Sequence, residues 1–555
     1  MYNIIKVVKV NSRLILFIII LAGTFLRFFM LSVNPPSLTW DEAAWGYNAY
    51  SILLDQTDEF GKKLPFVYLE SFGDYKPPLY AYITAPFVKL LGLTEIAVRF
   101  PSALFGVLTI LLTYFLTKKI FYKADEKRRE GIALLSAGIL AISPWHILLS
   151  RAAFEANVAT FFIVLGIYLF LVSLERKWFL PFAAISLVAS MYTFNTARIF
   201  VPLLGVILFL KFHKTLLLKM RAQTLVALII AGAIFLPLLL FMQTPQAKLR
   251  FSEVNIFTDA GVVVESNRQI ENDNNAFWSK ILHNRRVGYS LSYVRHYFDN
   301  LSPQFLFISG DGNPKFSIQS VGQMYIWEIP FFIMGILFLF KKKEGYYWII
   351  PIWIILGLIP AGTARETPHA LRIETIIPTF QILTAYGLVN IFMVLRKSKS
   401  LSRGFYLMGF FVAIFAIFNF LYFLHNYFKH YPKEFSGEWQ YGYKEAIAYA
   451  NEREGEYDNI VMTEELGRPY VYVLFYSKYD PAKFRKEVVV EREALGFVHV
   501  RSFGKYIFRE NIASESVSEG NNLYIDIPEN IPGNVKKMKE FKLLNGNVAL
   551  VAYEK

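Results

Sequence analysis

Apolar runs about as long as a bilayer is thick recur along nearly the whole chain, and they constrain its fold more than any other feature. A crossing helix needs about 20 apolar residues. Candidate runs lie at roughly 14–33, 97–117, 131–149, 155–174, 178–193, 197–212, 222–242, 325–340, 346–361, 370–395 and 403–426. That makes eleven, several of them short. The 54% hydrophobic share, with 52 Phe and 33 Tyr, suits lipid-facing helices and interfacial aromatic belts rather than one soluble core.

A net charge of +14 invites a nucleic-acid reading, but the cations sit in short loops between apolar runs. These loops are Lys118 to Arg129, Arg176 with Lys177, Lys211 to Arg221, Lys341 to Lys343 and Arg396 to Arg403. With eleven spans all five fall on the side of the N-terminus, which the positive-inside rule assigns to the cytoplasm. The C-terminus is then extracytoplasmic, and the protein is a multi-pass cell-membrane protein with no nucleic-acid partner. Lys6, Lys9 and Arg13 precede the first run without a small-residue cleavage site, as in a retained signal anchor. No Cys is present, so disulfides and thiolate chemistry are excluded.

Two stretches need a decision. A single helix over 178–212 would bury Arg198 mid-bilayer, at about 2.5–3.5 kcal/mol or more, so a hairpin is expected there. Pro77–Gly92 is apolar but too short to span, and is read as an interfacial helix. The expected fold is an all-α polytopic membrane bundle of about eleven helices over 1–430, with a small extracytoplasmic α/β domain over 431–555. Long outer loops fall at 34–96 and 243–323. In the tail, helices are predicted at 443–453 and 469–478, and strands at 459–463, 506–509, 523–527 and 548–553.

Polar residues collect on the outer side. Asp41 and Glu42 follow Pro35-Pro36 at the mouth of the first run. Thr39-x-x-Glu42 reads as a capping box, which accounts for Glu42 without chemistry, while Asp41 in the same turn is kept ionised by the helix dipole. A carboxylate there suits a general base that takes a proton from an acceptor hydroxyl. Asp74, Tyr75 and Lys76 precede Pro77-Pro78, and Lys76 is placed to meet a phosphate at headgroup depth, or simply to snorkel. Ser143-Pro144-Trp145-His146, Arg151, Glu155 and Asn157 form a third group. Arg198 and Arg372, with His369, occupy two further turns, where either Arg could bind phosphate or anchor a helix. His296 and Asp311 are weaker candidates, and no compact metal motif is present, so a divalent cofactor is left open. Polar groups gathered at one mouth suit an enzyme on a lipid-linked substrate. A transporter or flippase, the alternative reading, would place them at the midplane.

Taken together, Thr39-Trp40-Asp41-Glu42, Tyr75-Lys76-Pro77-Pro78-Leu79, Ser143-Pro144-Trp145-His146 with Ser150-Arg151, and Pro368-His369-Ala370-Leu371-Arg372 resemble the GT-C glycosyltransferases. The resemblance is to the group of protein O-mannosyltransferases and aminoarabinose transferases, and covers roughly residues 10–430. It implies a polyprenyl-phosphate-linked sugar as donor, inversion at the anomeric carbon, and Asp41, beside Glu42, as the catalytic carboxylate. It also implies Lys76, with Arg198 or Arg372, at the lipid phosphate. Relatives of the aminoarabinose type carry Glu before Lys-Pro and use it to hold a metal. Here Tyr75 fills that position, with Asp74 one residue earlier.

Overall fold

The computed structural model describes residues 11–248, 255–397, 402–493, 498–512 and 520–554. The cations at Lys6, Lys9 and Lys399 lie outside them. Eleven helices follow the eleven apolar runs, one to a run, if α5 and α6 are taken together. They are α1 (Ser12–Phe28), α4 (Glu95–Ile120), α5 (Glu126–Ile142) with α6 (Pro144–Arg151), α7 (Glu155–Ser173), α8 (Phe179–Met191), α9 (Ala197–Lys214) and α10 (Arg221–Met242). Then come α14 (Ile329–Lys342), α15 (Ile349–Gly362), α16 (Thr379–Lys397) and α17 (Ser402–His425). By length and composition five helices of the described residues can cross a bilayer, or six if α5 and α6 form one bent span. The expected number of eleven crossings is therefore matched in helix positions but not in helix lengths.

Between these lie α2 (Trp40–Asp55) and α3 (Leu79–Leu91), on the first long loop, and α11 (Ala260–Asn272), α12 (Phe277–Leu282) and α13 (Arg285–Asp299) on the second. A two-stranded hairpin, β1 (Leu69–Ser71) and β2 (Asp74–Lys76), stands between α2 and α3. The hairpin turns at Phe72 and Gly73, both at positive φ, as a two-residue turn of right-handed strands requires.

Local chemistry sets the boundaries. Thr94 and Asp125 cap α4 and α5 with their side chains. Pro144 cannot donate to the preceding turn, so α5 and α6 meet at 56°. The helix is interrupted between Met191 and Ala197, so residues 178–212 do not form one continuous helix. The expected interfacial helix is α3, packed between α2 and α4 with Leu90 exposed.

The tail carries α18 (Tyr443–Glu452), α19 (Pro469–Tyr476), α20 (Pro481–Glu487) and a mixed seven-stranded sheet. Its strands are β3 (Asn459–Thr463), β4 (Val489–Arg492), β5 (Val498–Phe503), β6 (Tyr506–Arg509), β7 (Asn522–Asp526), β8 (Lys536–Lys542) and β9 (Val548–Glu554), in the order β4-β5-β6-β3-β7-β9-β8. Only the pairings of β3, with β6 and β7, are parallel. Three strands escape the sequence reading. Two of them, β4 and β8, are the sheet's edges; β4 is exposed throughout and β8 reads Lys-Lys-Met-Lys-Glu-Phe-Lys. Charged edge strands resist further pairing but hide the apolar alternation that betrays a strand.

Two large apolar cores result among the described residues. One fills the bundle. The other joins Leu38, Trp45, Tyr47 and Tyr80 to Tyr443, Tyr470, Phe475 and Phe503. The sheet domain thus shares its core with α2 and α3.

Candidate active site

Thr39 begins the site. Its hydroxyl accepts from the Glu42 amide at 3.3 Å, and its own amide donates to Glu42 Oε2 at 3.0 Å. This capping box turns Glu42 inward and leaves Asp41, in the same turn, 49% exposed. The hairpin brings Lys76 across to an ion pair with Asp41 Oδ1. Lys76 is buried, with Nζ 4.6 Å from the Phe72 ring centre and 5.3 Å from that of Trp45. A desolvated ammonium among aromatic faces has few ways to satisfy its charge, so it favours an anion.

Glu42, expected in the chemistry with Asp41, is fully buried and its oxygens are occupied. Arg99 Nε donates to Oε1 at 2.8 Å, and the Ala153 amide donates to Oε1 at 2.9 Å. Arg99 also donates to the carbonyls of Leu31, Pro35 and Ser37. Arg151, fully buried, donates to the carbonyls of Leu26, Phe29 and Asn34, each at 2.7 Å, and to the Tyr427 hydroxyl at 3.0 Å. Arg27 Nη2 lies 2.6 Å from His146 Nδ1. Glu42, His146 and Arg151, all read as mouth candidates, therefore belong to a buried clamp that fixes the segment leading to Asp41.

Other expected residues divide between two flanks of the pair. Glu155, half-buried at the start of α7, feels the charges of Asp41, Lys76 and Asp74. Arg198 donates through Nε to the Met191 carbonyl at 3.2 Å and interacts with Asp74. Tyr75 alternates with Lys76 along β2; its ring lies 5.1 Å from that of Tyr68, and Arg492 is beside it. The second flank holds His369, whose Nδ1 is 3.9 Å from Asp311 Oδ2. Burial, and then the Arg372 charge, push the imidazole down to about 3. Burial pushes Asp311 up to about 6, although amides of Asn313 and Ala370 donate to it. Arg372 donates to the Glu366 carbonyl at 3.2 Å.

Two residues were missed from the sequence. Lys315 stacks over Trp40 at 4.7 Å and interacts with Asp41 and Glu42. Glu374, fully buried, interacts with Glu155. Neither lies in a motif. Trp40 also walls a cavity of about 360 Å³ against the sheet domain, lined by Arg468, Tyr470 and His499 among others. Among the described residues, one set of three potential metal ligands converges: Glu464, His499 and Glu510 in that domain. Arg501 already pairs with Glu464 at 2.9 Å. Among the described residues the carboxylates around Asp41 form no such set.

Residues 75–241 match the family model described as dolichyl-phosphate-mannose-protein mannosyltransferase. A protein of Aquifex aeolicus (strain VF5), described as uncharacterized, is 34% identical over 184 residues, which are 32% of this chain and 35% of that one. The chain thus spans about a third of the length of the curated relative it matches. Among solved structures, ArnT from Cupriavidus metallidurans in the apo state superposes with a TM-score of 0.51 at 11% identity, covering 97% of both chains. The Archaeoglobus fulgidus oligosaccharyltransferase AglB, in complex with an inhibitory peptide and a dolichol-phosphate, gives 0.51 at 15% identity over 84% of this chain and 64% of that one. Helix order and these likenesses agree that the chain has the fold of the GT-C membrane glycosyltransferases.

Proposed function

We propose that the protein transfers a sugar from a polyprenyl-phosphate donor to an acceptor hydroxyl at the membrane face that holds Asp41, with inversion at the anomeric carbon. One observation carries this reading: a half-exposed aspartate paired with a buried lysine at one end of a membrane bundle. The acceptor oxygen bonds to the anomeric carbon as the bond from that carbon to the phosphate oxygen breaks. Asp41 takes the hydroxyl proton, and Lys76 neutralises the charge gained by the departing lipid phosphate. In the free protein these two groups satisfy each other. A donor phosphate competes for Lys76 and thereby releases Asp41 as a base.

Lys315, over the Trp40 ring, adds a second cation that interacts with Asp41. Arg198 and Arg372, further out on the two flanks, guide the headgroup. The cavity beside Trp40 is the route we assign to the acceptor. A neighbour of the same fold holding a dolichol-phosphate supports a lipid-phosphate partner.

The test is transfer of label by purified protein in lipid, using a panel of radiolabelled polyprenyl-phosphate sugars and a membrane extract. Label is expected to enter an acceptor with the native protein and not with Asp41→Asn. Lipid flipping or solute uptake with no covalent product would overturn the proposal.

A further inference from the structure

The second long loop carries a feature that the transfer reaction does not use. On α13, Val287, Leu291, Val294 and Phe298 form one stripe at helical spacing, and all four are exposed. The opposite face is occupied. Tyr297 donates to the Ile355 carbonyl at 2.9 Å, His296 Nδ1 lies 2.7 Å from the Ala364 carbonyl, and the Tyr293 ring packs on Gly362. So α13 lies along the last turns of α15 with its apolar stripe turned away. On α12 Phe277 is 80% exposed and Trp278 53%.

Two further observations identify what covers this surface. First, α15 has 14 residues, about 21 Å of helix, against a hydrocarbon thickness of about 30 Å. Ile355 is exposed on α15 beside Tyr297, so the stripe on α13 adjoins the exposed apolar surface of α15. Second, residues 277–298 contain Lys280, Arg285, Arg286 and Arg295 and no Asp or Glu. Apolar side chains on one face with cations at the border suit the boundary between acyl chains and phosphate headgroups. The arm is on the side of Asp41, since Phe241 at the end of α10 stacks on Tyr68 beside the hairpin.

We propose that α12 and α13 form an arm that inserts into the leaflet on the Asp41 side and binds the phosphates of anionic phospholipids through Arg285, Arg286, Arg295 and Lys280. The arm makes up the apolar height that α15 lacks. The proposal stands whether or not the transferase reading does.

Two measurements on the full-length protein in lipid nanodiscs test it. Trp278 fluorescence, taken as the difference between native protein and Trp278→Phe, is compared in lipids with plain and brominated acyl chains. It is expected to lose at least about half its intensity over brominated chains. Hydrogen exchange of 277–298 is then compared in zwitterionic and anionic nanodiscs. Anionic lipid is expected to slow exchange several-fold, and the effect should vanish in R285Q/R286Q/R295Q and at about 1 M salt, where screening acts within about 3 Å. An unquenched Trp278 overturns insertion. Equal exchange of the native protein in the two lipids overturns the recognition of anionic headgroups.

Discussion

Asp41 and Glu42 are neighbours in sequence with opposite situations, and substitution separates them. Asp41 is half exposed and faces Lys76, so Asp41→Asn should remove the base and little else. We expect transfer to fall by about 10²–10⁴-fold while the melting temperature in detergent stays near that of the native protein. Glu42→Ala strands the buried Arg99 guanidinium, at a cost of about 3–5 kcal/mol, and should show first as lost stability. A stable but inactive Glu42→Ala protein would return that residue to the chemistry. The motif around Asp41 was legible because capping box, acidic pair and Lys-Pro-Pro all lie within short stretches. Lys315 and Glu374 were not, because only folding brings them to residues more than 200 positions away. A second residue-scale test concerns Glu59, which accepts from Asn48 Nδ2 at 2.9 Å and from the Tyr470 hydroxyl at 2.9 Å. Burial raises its carboxyl from 4.5 to about 8, against the hydrogen bond from Tyr470. A raised folded value means stability that is full below 4.5 and is lost as pH climbs through about 8. Glu59→Gln cannot titrate, so its melting temperature relative to the native protein should rise between those limits. A constant difference across the window would show that Glu59 titrates normally.

At the scale of elements, helix positions were readable and helix lengths were not. Hydropathy marks where a chain is apolar, whereas caps, prolines and neighbours decide where each helix stops. The contact of α14 with α16 illustrates what periodicity cannot convey. Gly335 faces the Leu383 carbonyl and Gly387 the Phe331 carbonyl so closely that a methyl group at either site would overlap backbone. Small residues permit this approach, and in lipid such packing replaces the hydrophobic drive between helices. We therefore expect Gly387→Val to separate the pair, at a cost of about 1–3 kcal/mol or more, read as a lowered melting temperature in detergent. A variant that melts with the native protein would mean the two helices slide apart without penalty. The edge strands β4 and β8 teach the converse lesson, since the charge that keeps them from pairing further also conceals them from pattern reading.

For the whole molecule, the decisive feature is the place of α2. Its first turn carries Asp41 on the bundle's mouth, yet one face of it packs into the core of the sheet domain. Nothing in the sequence announces this, because Tyr479 and Phe484, the partners of Tyr47, lie some 400 residues downstream and carry no local mark. The consequence is mechanical coupling between tail and mouth. Phe475 is buried, and its ring rests on Gly46, where a methyl group would collide with it. Phe475→Ala opens a cavity worth about 3–5 kcal/mol. If α2 and α19 share one cooperative unit, the loss reaches both. Exchange of amide hydrogens in 40–55 should then accelerate together with that in 459–476, and transfer should weaken although Asp41 and Lys76 are untouched. If instead the tail loosens while 40–55 keeps its protection, α2 belongs energetically to the bundle alone. The sheet domain would then be an appendage to the mouth rather than one of its walls.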